Sequence, residues 1–327
     1  MKIRLVRAII IFLKDYFRQK KFLEGYLFPL LASNGMETDV SLSEPDLNKV
    51  KKIYSLISVI LFVEPFQRLR GYKLSDQQRR CFSIIGALTS LVDDYFDRFQ
   101  LDFAKILKIA NNERGYVAEN QHQSLTKKLL TELELISKPD DDYKETLSKV
   151  LYYQKESLKQ FDSHTMLDDI YFITIQKSGS SALYYCTLVS PDISKEETEM
   201  LYHLTILIQT VNDIFDVVKD LNDGIKTYPN TVGSVGAIKK MFVDHIQNWK
   251  EALDKLPYSN HDKQVYFDRI NLLLISITWV CLKQYEDLEN ENGHFNVQLY
   301  TRKQLICDKE KIKNCWNWFK YFKQQPT

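Results

Sequence analysis

Glycine and proline are both scarce, 10 and 8 in 327 residues. Folds rich in β-structure close their chains with turns that lean on these two residues, so the shortage argues against a sandwich or barrel and for long helices. No C-x-x-C pair occurs. The five cysteines (Cys81, Cys186, Cys281, Cys307, Cys315) are odd in number and scattered, mostly in apolar runs. That speaks against a disulfide framework and for reduced core thiols in a cytoplasmic protein. The six histidines are dispersed, and there is neither a Gly-rich phosphate loop nor a G-x-S-x-G turn. Zinc, nucleotide and nucleophile-triad chemistry therefore lack their usual residues. No charge of one sign dominates: the net charge is +1, so nucleic acid is not an expected partner. Long apolar runs are missing too. The longest nearly apolar stretch, Leu272–Leu282, is far below the roughly 18–20 residues that span a bilayer. The apolar run Ala8–Leu13 is cut by Lys14 and Asp15 and has no cleavage site after it. It is expected to be part of an amphipathic first helix, with at most loose membrane contact and no stable insertion.

What the chain does contain is apolar residues at 44%, enough for a sizeable core, arranged with helical rather than strand periodicity. One all-α domain covering residues 1–327, a bundle of about ten helices around a central cavity, is the expected architecture. Capping boxes place helix starts at Ser75-Asp-Gln-Gln78, Ser194-Lys-Glu-Glu197 and Thr301-Arg-Lys-Gln304. The first two are expected to run to about Ala110 and Leu221, and the third opens the last helix. Further helices are expected over 3–32, 46–63, 121–137, 141–160, 167–189, 235–255 and 262–290. Breaks are expected at Asn34-Gly35, Pro65, Asn111–Gly115, Pro139, Pro191, Asp223–Asn230, Pro257 and Asn292-Gly293.

Two acidic clusters interrupt this apolar pattern. The helix from Ser75 carries Asp93-Asp94-Tyr-Phe-Asp97-Arg98 after almost wholly apolar turns. Asp93 and Asp97, four apart, share a face and repel one another. Hard oxygen ligands at this spacing suit Mg²⁺, which keeps several waters and bridges to phosphates; a solvated helix end is the plain alternative. The helix from Ser194 ends in Asn212-Asp-Ile-Phe-Asp216-Val-Val-Lys219-Asp220. Asn212, Asp216 and Asp220 are spaced four and four, which makes one stripe of three oxygen donors, with Lys219 beside it as a point charge for phosphate. Two such stripes on two helices make chemical sense if the helices face each other across one cavity.

The second cluster resembles the N-D-x-x-S-x-x-K-E metal motif of class I terpene synthases, and the first matches that family's D-D-x-x-D. The chain departs from the family by having Asp216 in place of Ser or Thr and Asp220 in place of Glu. Asp216, with Gln209 three before Asn212, is similar to the second motif of trans-prenyl diphosphate synthases. The spacing Asn212, Asp216, Asp220, Gly224, Pro229 is similar to that of squalene and phytoene synthases. All three groups share the isoprenoid synthase fold.

The resemblance implies a terpene cyclase, a Mg²⁺-dependent lyase acting on a 15- or 20-carbon prenyl diphosphate. Three Mg²⁺ ions (or Mn²⁺ in their place) are implied, held by Asp93, Asp97 and Asp94 on one side and by Asn212, Asp216 and Asp220 on the other. Diphosphate contacts are expected from Arg98, Lys177, Lys219 and Lys226, and from Lys320-Tyr321, which resembles the family's C-terminal Arg-Tyr pair. Ile175-Gln-Lys177-Ser-Gly179-Ser-Ser is expected to kink or unwind its helix, as at the family's diphosphate-sensing break; a close helix contact through small residues is the alternative. A homodimer is common in the superfamily. Chain elongation with isopentenyl diphosphate, head-to-head condensation, and a non-catalytic helical scaffold are the competing functions.

Overall fold

The computed structural model describes residues 2–32, 39–190, 192–307 and 312–324. Among these described residues it is all-helical, at 81% helix and with no strands. The expected breaks at Asn34-Gly35 and Pro191 lie outside the described residues. The chain gathers into two compact units, one of Ile10–Lys155 with Thr187–Pro191, the other of Met1–Ile9, Glu156–Cys186 and Asp192–Thr327.

The first unit holds most of α1 (Lys2–Gly25), then α2 (Leu27–Ala32), α3 (Glu44–Lys49), α4 (Ser55–Ile57), α5 (Glu64–Leu69), α6 (Asp76–Asp97), α7 (Phe103–Ala110), α8 (Gln121–Ser137) and α9 (Asp141–Glu156). Wide π turns at Val50–Tyr54 and Ser58–Val63 fuse α3, α4 and α5 into one rod. Pro65 therefore does not break the chain, contrary to expectation. It lies in α5, which follows directly on the π turn Ser58–Val63, and the helical run continues through it. The centre of the unit is α6, which packs on α8 and on this rod. Phe62, Phe66, Phe82, Ile84, Ile85, Leu91, Leu125 and Leu129 are buried around it.

Gly86 marks the closest approach. A Cβ there would stand 2.4 Å from the Tyr54 carbonyl oxygen and 2.6 Å from the Ser58 hydroxyl. Because a backbone atom blocks the space, Gly86→Ala is expected to lower stability by at least about 2 kcal/mol, measured by the urea midpoint; an unchanged midpoint would contradict this packing.

The second unit holds α10 (Leu167–Val189) as far as Cys186, then α11 (Lys195–Phe215), α12 (Val217–Asn222), α13 (Tyr228–Thr231), α14 (Val235–Lys255), α15 (Asn260–Ile270), α16 (Ser276–Asn292), α17 (Arg302–Leu305) and α18 (Ile312–Gln324). Its core is α11 lying against α14 and α16, with α18 on α16. Trp249 is fully buried and stacks on Phe267 at 5.8 Å. Tyr285 stacks on Phe295 at 5.0 Å and donates its hydroxyl to the Ile214 carbonyl at 2.8 Å.

All three expected capping boxes form, at Ser75/Gln78, Ser194/Glu197 and Thr301/Gln304. The helices they open end earlier than expected. The first stops at Asp97, where Gln100 turns left-handed (φ 46°) and Asp102 caps a new helix, accepting from the Ala104 N–H at 2.9 Å. The second is interrupted at Asp216. The third ends after four residues, so α18 is the last helix. Residues 260–292 form one helical run, α15 and α16 joined by a π turn at Asn271–Ile275. This run is long and apolar enough to cross a membrane by length and composition, but 83% of its apolar window is buried inside the protein.

Candidate functional site

The two acidic segments fall in different units, and each is described within its own. In the first unit, Asp93, Asp94 and Asp97 occupy the last two turns of α6. Carboxylates there face the negative end of the helix dipole, which disfavours their charge. Asp93 and Asp94 are half-buried and Asp97 is exposed. The Asp94 carboxylate lies 3.4 Å from Nε2 of His122, a fully buried ring held edge-on by Tyr95 and Phe99. His122 follows Asn120, which caps α8 through the Gln123 N–H. A dispersed histidine carries little sequence signal, and only the fold sets it beside Asp94.

Arg98 turns to α3 and the loop before it. Its guanidinium donates to Asp46 at 2.9 Å and to the Val40 carbonyl at 2.9 Å, and lies over the Phe99 ring. These contacts occupy the side chain expected to meet diphosphate.

In the second unit the chain changes course at Asp216. Its backbone (φ −94°, ψ 11°) leaves α-helical geometry between α11 and α12, in the sparsely populated bridge region frequent at functional sites. The ladder survives around it, with Asp216 N–H donating to the Asn212 carbonyl and Asp220 N–H to the Asp216 carbonyl, both at 2.8 Å. The outcome differs from an even stripe: Asn212 is exposed, Asp216 half-buried and Asp220 buried, and Asp213 is buried as well. Gln209 donates to Asp213 at 2.7 Å.

Burial pushes Asp213 up to about 7; the Gln209 hydrogen bond and Lys177 oppose this and Asp216 adds to it. Burial also pushes Asp220 up to about 7, helped by repulsion from Asp213, Asp216 and Asp223 and opposed by Lys219. Asp216 is raised by burial, with Lys219 opposing and Asp223 assisting. Lys219 is held above its ordinary value: burial opposes this, and Asp223 at 3.1 Å, Asp220 at 3.8 Å and Asp216 outweigh it. Asp216, Asp220 and Asp223 thus gather about Lys219, and Asp213 neighbours Lys177, an excess of negative charge in a partly buried place.

Asp213 was legible in principle. Its neighbours at i−7, i−3 and i+4 are Ile206, Thr210 and Val217, all buried, so the helical face assigns it inward. The matching neighbours of Asn212 are Thr205, Gln209 and Asp216, all polar.

The connection after α12 is tightly tied. Gly224 is left-handed (φ 74°), Ile225 N–H returns to the Asp220 carbonyl at 2.8 Å, and Thr227 with Asn230 forms a capping box for α13. Lys226 donates to the Ser163 and Thr165 carbonyls, and its N–H to the Gln160 carbonyl at 2.9 Å. It pins two loops together.

The expected kink at Gly179 is corrected: α10 runs unbroken. The hydroxyls of Ser178, Ser180 and Ser181 bond back to carbonyls of their own helix, so no backbone donors are released. A Cβ on Gly179 would stand 2.1 Å from the Tyr202 ring, so this glycine admits α11. Lys177, half-buried on the same helix, is an electrostatic neighbour of Asp213. On α18, Lys320 is exposed and Tyr321 stacks on Trp279 at 6.4 Å. Tyr321 is raised by burial, with Lys283 opposing and Glu286 and Asp287 assisting, so its charged neighbours lie on α16.

A hard cation suits the second segment by donor chemistry: Asp213, Asp216 and Asp220 are oxygen donors whose mutual repulsion a positive ion relieves. Among the described residues no three His, Cys, Asp or Glu side chains form a closed metal cage. A cation here would complete its shell with water and phosphate oxygens, as Mg²⁺ does.

No family model, no curated protein and no solved structure matches this chain.

Proposed function

We propose that this protein is a Mg²⁺-dependent isoprenoid-diphosphate enzyme of the class I terpene synthase kind. It ionises a prenyl diphosphate of 15 or 20 carbons and turns the resulting cation into a terpene. The observation that carries this reading is the crowding of Asp213, Asp216 and Asp220 at a helix interruption, within a segment whose order N-D-x-x-D-x-x-K-D follows a D-D-x-x-D on an earlier helix.

Asp93 and Asp97 would hold Mg²⁺ through one segment, and Asp216 and Asp220, with Asn212 or Asp213, through the other. The bound metal supplies Lewis acidity, drawing off charge that develops on the leaving diphosphate. Lys219 and Lys177 add fixed positive charge for the same anion. Gln209 orients the Asp213 carboxylate through its amide. Apolar side chains would keep water from the allylic cation until its rearrangement is over.

The hydrogen bond from Gln209 to Asp213 favours one second reading. Gln209-x-x-Asn212-Asp213-x-x-Asp216 is similar to the second motif of chain-elongating prenyl diphosphate synthases. A single experiment addresses both. The protein is incubated with Mg²⁺ and ten-, fifteen- or twenty-carbon prenyl diphosphates, with and without isopentenyl diphosphate, and diphosphate release and organic products are followed. Terpene hydrocarbons or alcohols without isopentenyl diphosphate support the cyclase. A longer diphosphate made only with it supports elongation. No Mg²⁺-dependent release from any of them would sink both.

A further inference from the structure

The first helix buries Ala8 and Leu23 but leaves a second set of apolar side chains on its outer face. On α1 the buried side includes Asp15 and Gln19, which are tied to Arg68 at 2.8 Å and to the Ser83 hydroxyl at 2.8 Å. The opposite side carries Ile3, Val6, Ile10, Leu13 and Phe17, each between 42% and 82% exposed. Their spacing of three, four, three and four keeps them in one stripe along the rod. Single exposed apolar residues are ordinary. Five in register along one helix form a contiguous patch of the kind that marks an interaction surface.

Charge indicates what covers it. At about 100° per residue, Lys14 and Lys21 project to one side of the stripe and Lys20 to the other, and all three are exposed. Of the two acidic residues of α1, Asp15 is buried against Arg68, which leaves Glu24 as the exposed one. An apolar stripe flanked by lysines matches a surface that is greasy beneath and negative above: the interface of an anionic lipid bilayer. We infer that α1 docks flat on anionic membranes, its Ile3–Phe17 stripe entering the acyl boundary and Lys14, Lys20 and Lys21 meeting lipid phosphates. The stripe is too narrow and the lysines too close to it for the helix to span. The inference stands on α1 alone and is independent of the proposed chemistry.

The test is flotation of the full chain with vesicles of phosphatidylcholine, alone or mixed with phosphatidylglycerol, together with sedimentation velocity without lipid. Wild-type protein should float with the anionic vesicles and be released by high salt. Leu13→Ser with Phe17→Ser should weaken binding by at least about tenfold. Lys14→Gln, Lys20→Gln and Lys21→Gln together should shift binding to vesicles richer in phosphatidylglycerol. All five side chains are exposed, so an unchanged circular dichroism melt is expected and keeps the comparison valid. Failure of the wild type to float would overturn the inference, as would flotation of the double serine variant like wild type. A wild-type dimer that the serine variant converts to monomer would overturn it too, by assigning the stripe to a second copy of the chain.

Discussion

Asp216→Ala should lower Mg²⁺-dependent diphosphate release by at least about 10²-fold without loss of fold. The side chain is half-buried at an interruption between α11 and α12, and burial with the nearby Asp223 already disfavours its charge. A carboxylate kept there against local electrostatics is a poor stabiliser, so its removal should spare the melting temperature while removing a ligand. Asp93→Ala tests the other segment and should show a comparable loss. Isothermal titration of Mg²⁺ with inorganic diphosphate adds a readout that does not depend on the organic substrate. Wild type should show coupled uptake of the two, and each variant should lose it. Activity persisting in both variants would defeat the proposed function. Absence of any coupled binding in wild type would favour a scaffold with solvated acidic faces.

The second large effect is on stability, and its sign follows from proton counting. Asp213 and Asp220 release their protons near pH 7 in the folded chain, whereas an unfolded aspartate does so near 3.8. Between these values the folded state binds more protons, so stability falls as pH rises from about 4 through 7 and levels off above. At pH 8 each of the two buried charges stands at a disadvantage on the order of 4 kcal/mol. Asp220→Asn removes one of them while keeping the shape of the side chain. It should raise the melting temperature at pH 8 by on the order of 5 °C and leave it nearly unchanged at pH 4. Mg²⁺ competes with protons for the same oxygens, so its stabilising effect on wild type should be larger at pH 8 than at pH 6 and should be smaller in Asp220→Asn. A variant less stable than wild type at pH 8 would show that Asp220 has a partner that its burial and neighbours do not reveal.

Much of the helical architecture was legible because it rests on local rules. Ser75, Ser194 and Thr301 announce their capping boxes within four residues, and the period of apolar residues set the spans of α8, α10 and α14 to the residue. What the local rules missed depends on partners remote in sequence. Gly179 reads as a weak point in an isolated helix, yet in the fold it is the space that Tyr202 fills. Arg98 reads as an anion contact beside three aspartates, but Asp46 and Val40, some fifty residues earlier, take its donors. The even acidic stripe presupposes a uniform helix. The change of backbone at Asp216, together with the inward face shared by Ile206, Thr210 and Val217, makes Asp213 part of the cluster and leaves Asn212 at the surface.

The π turn at Asn271–Ile275 has a bearing on how the longest apolar rod is used. A turn widened by one residue rotates everything after it by about 100° relative to an uninterrupted helix. The rod is therefore two amphipathic surfaces joined out of phase, and α16 can address α11, α14 and α18 while α15 keeps a heading of its own. Asn271 fastens the joint, its amide donating to the Phe322 carbonyl and its oxygen accepting from Ser276. Insertions or deletions of one residue in this segment would not merely lengthen or shorten the rod; they would re-aim its downstream half.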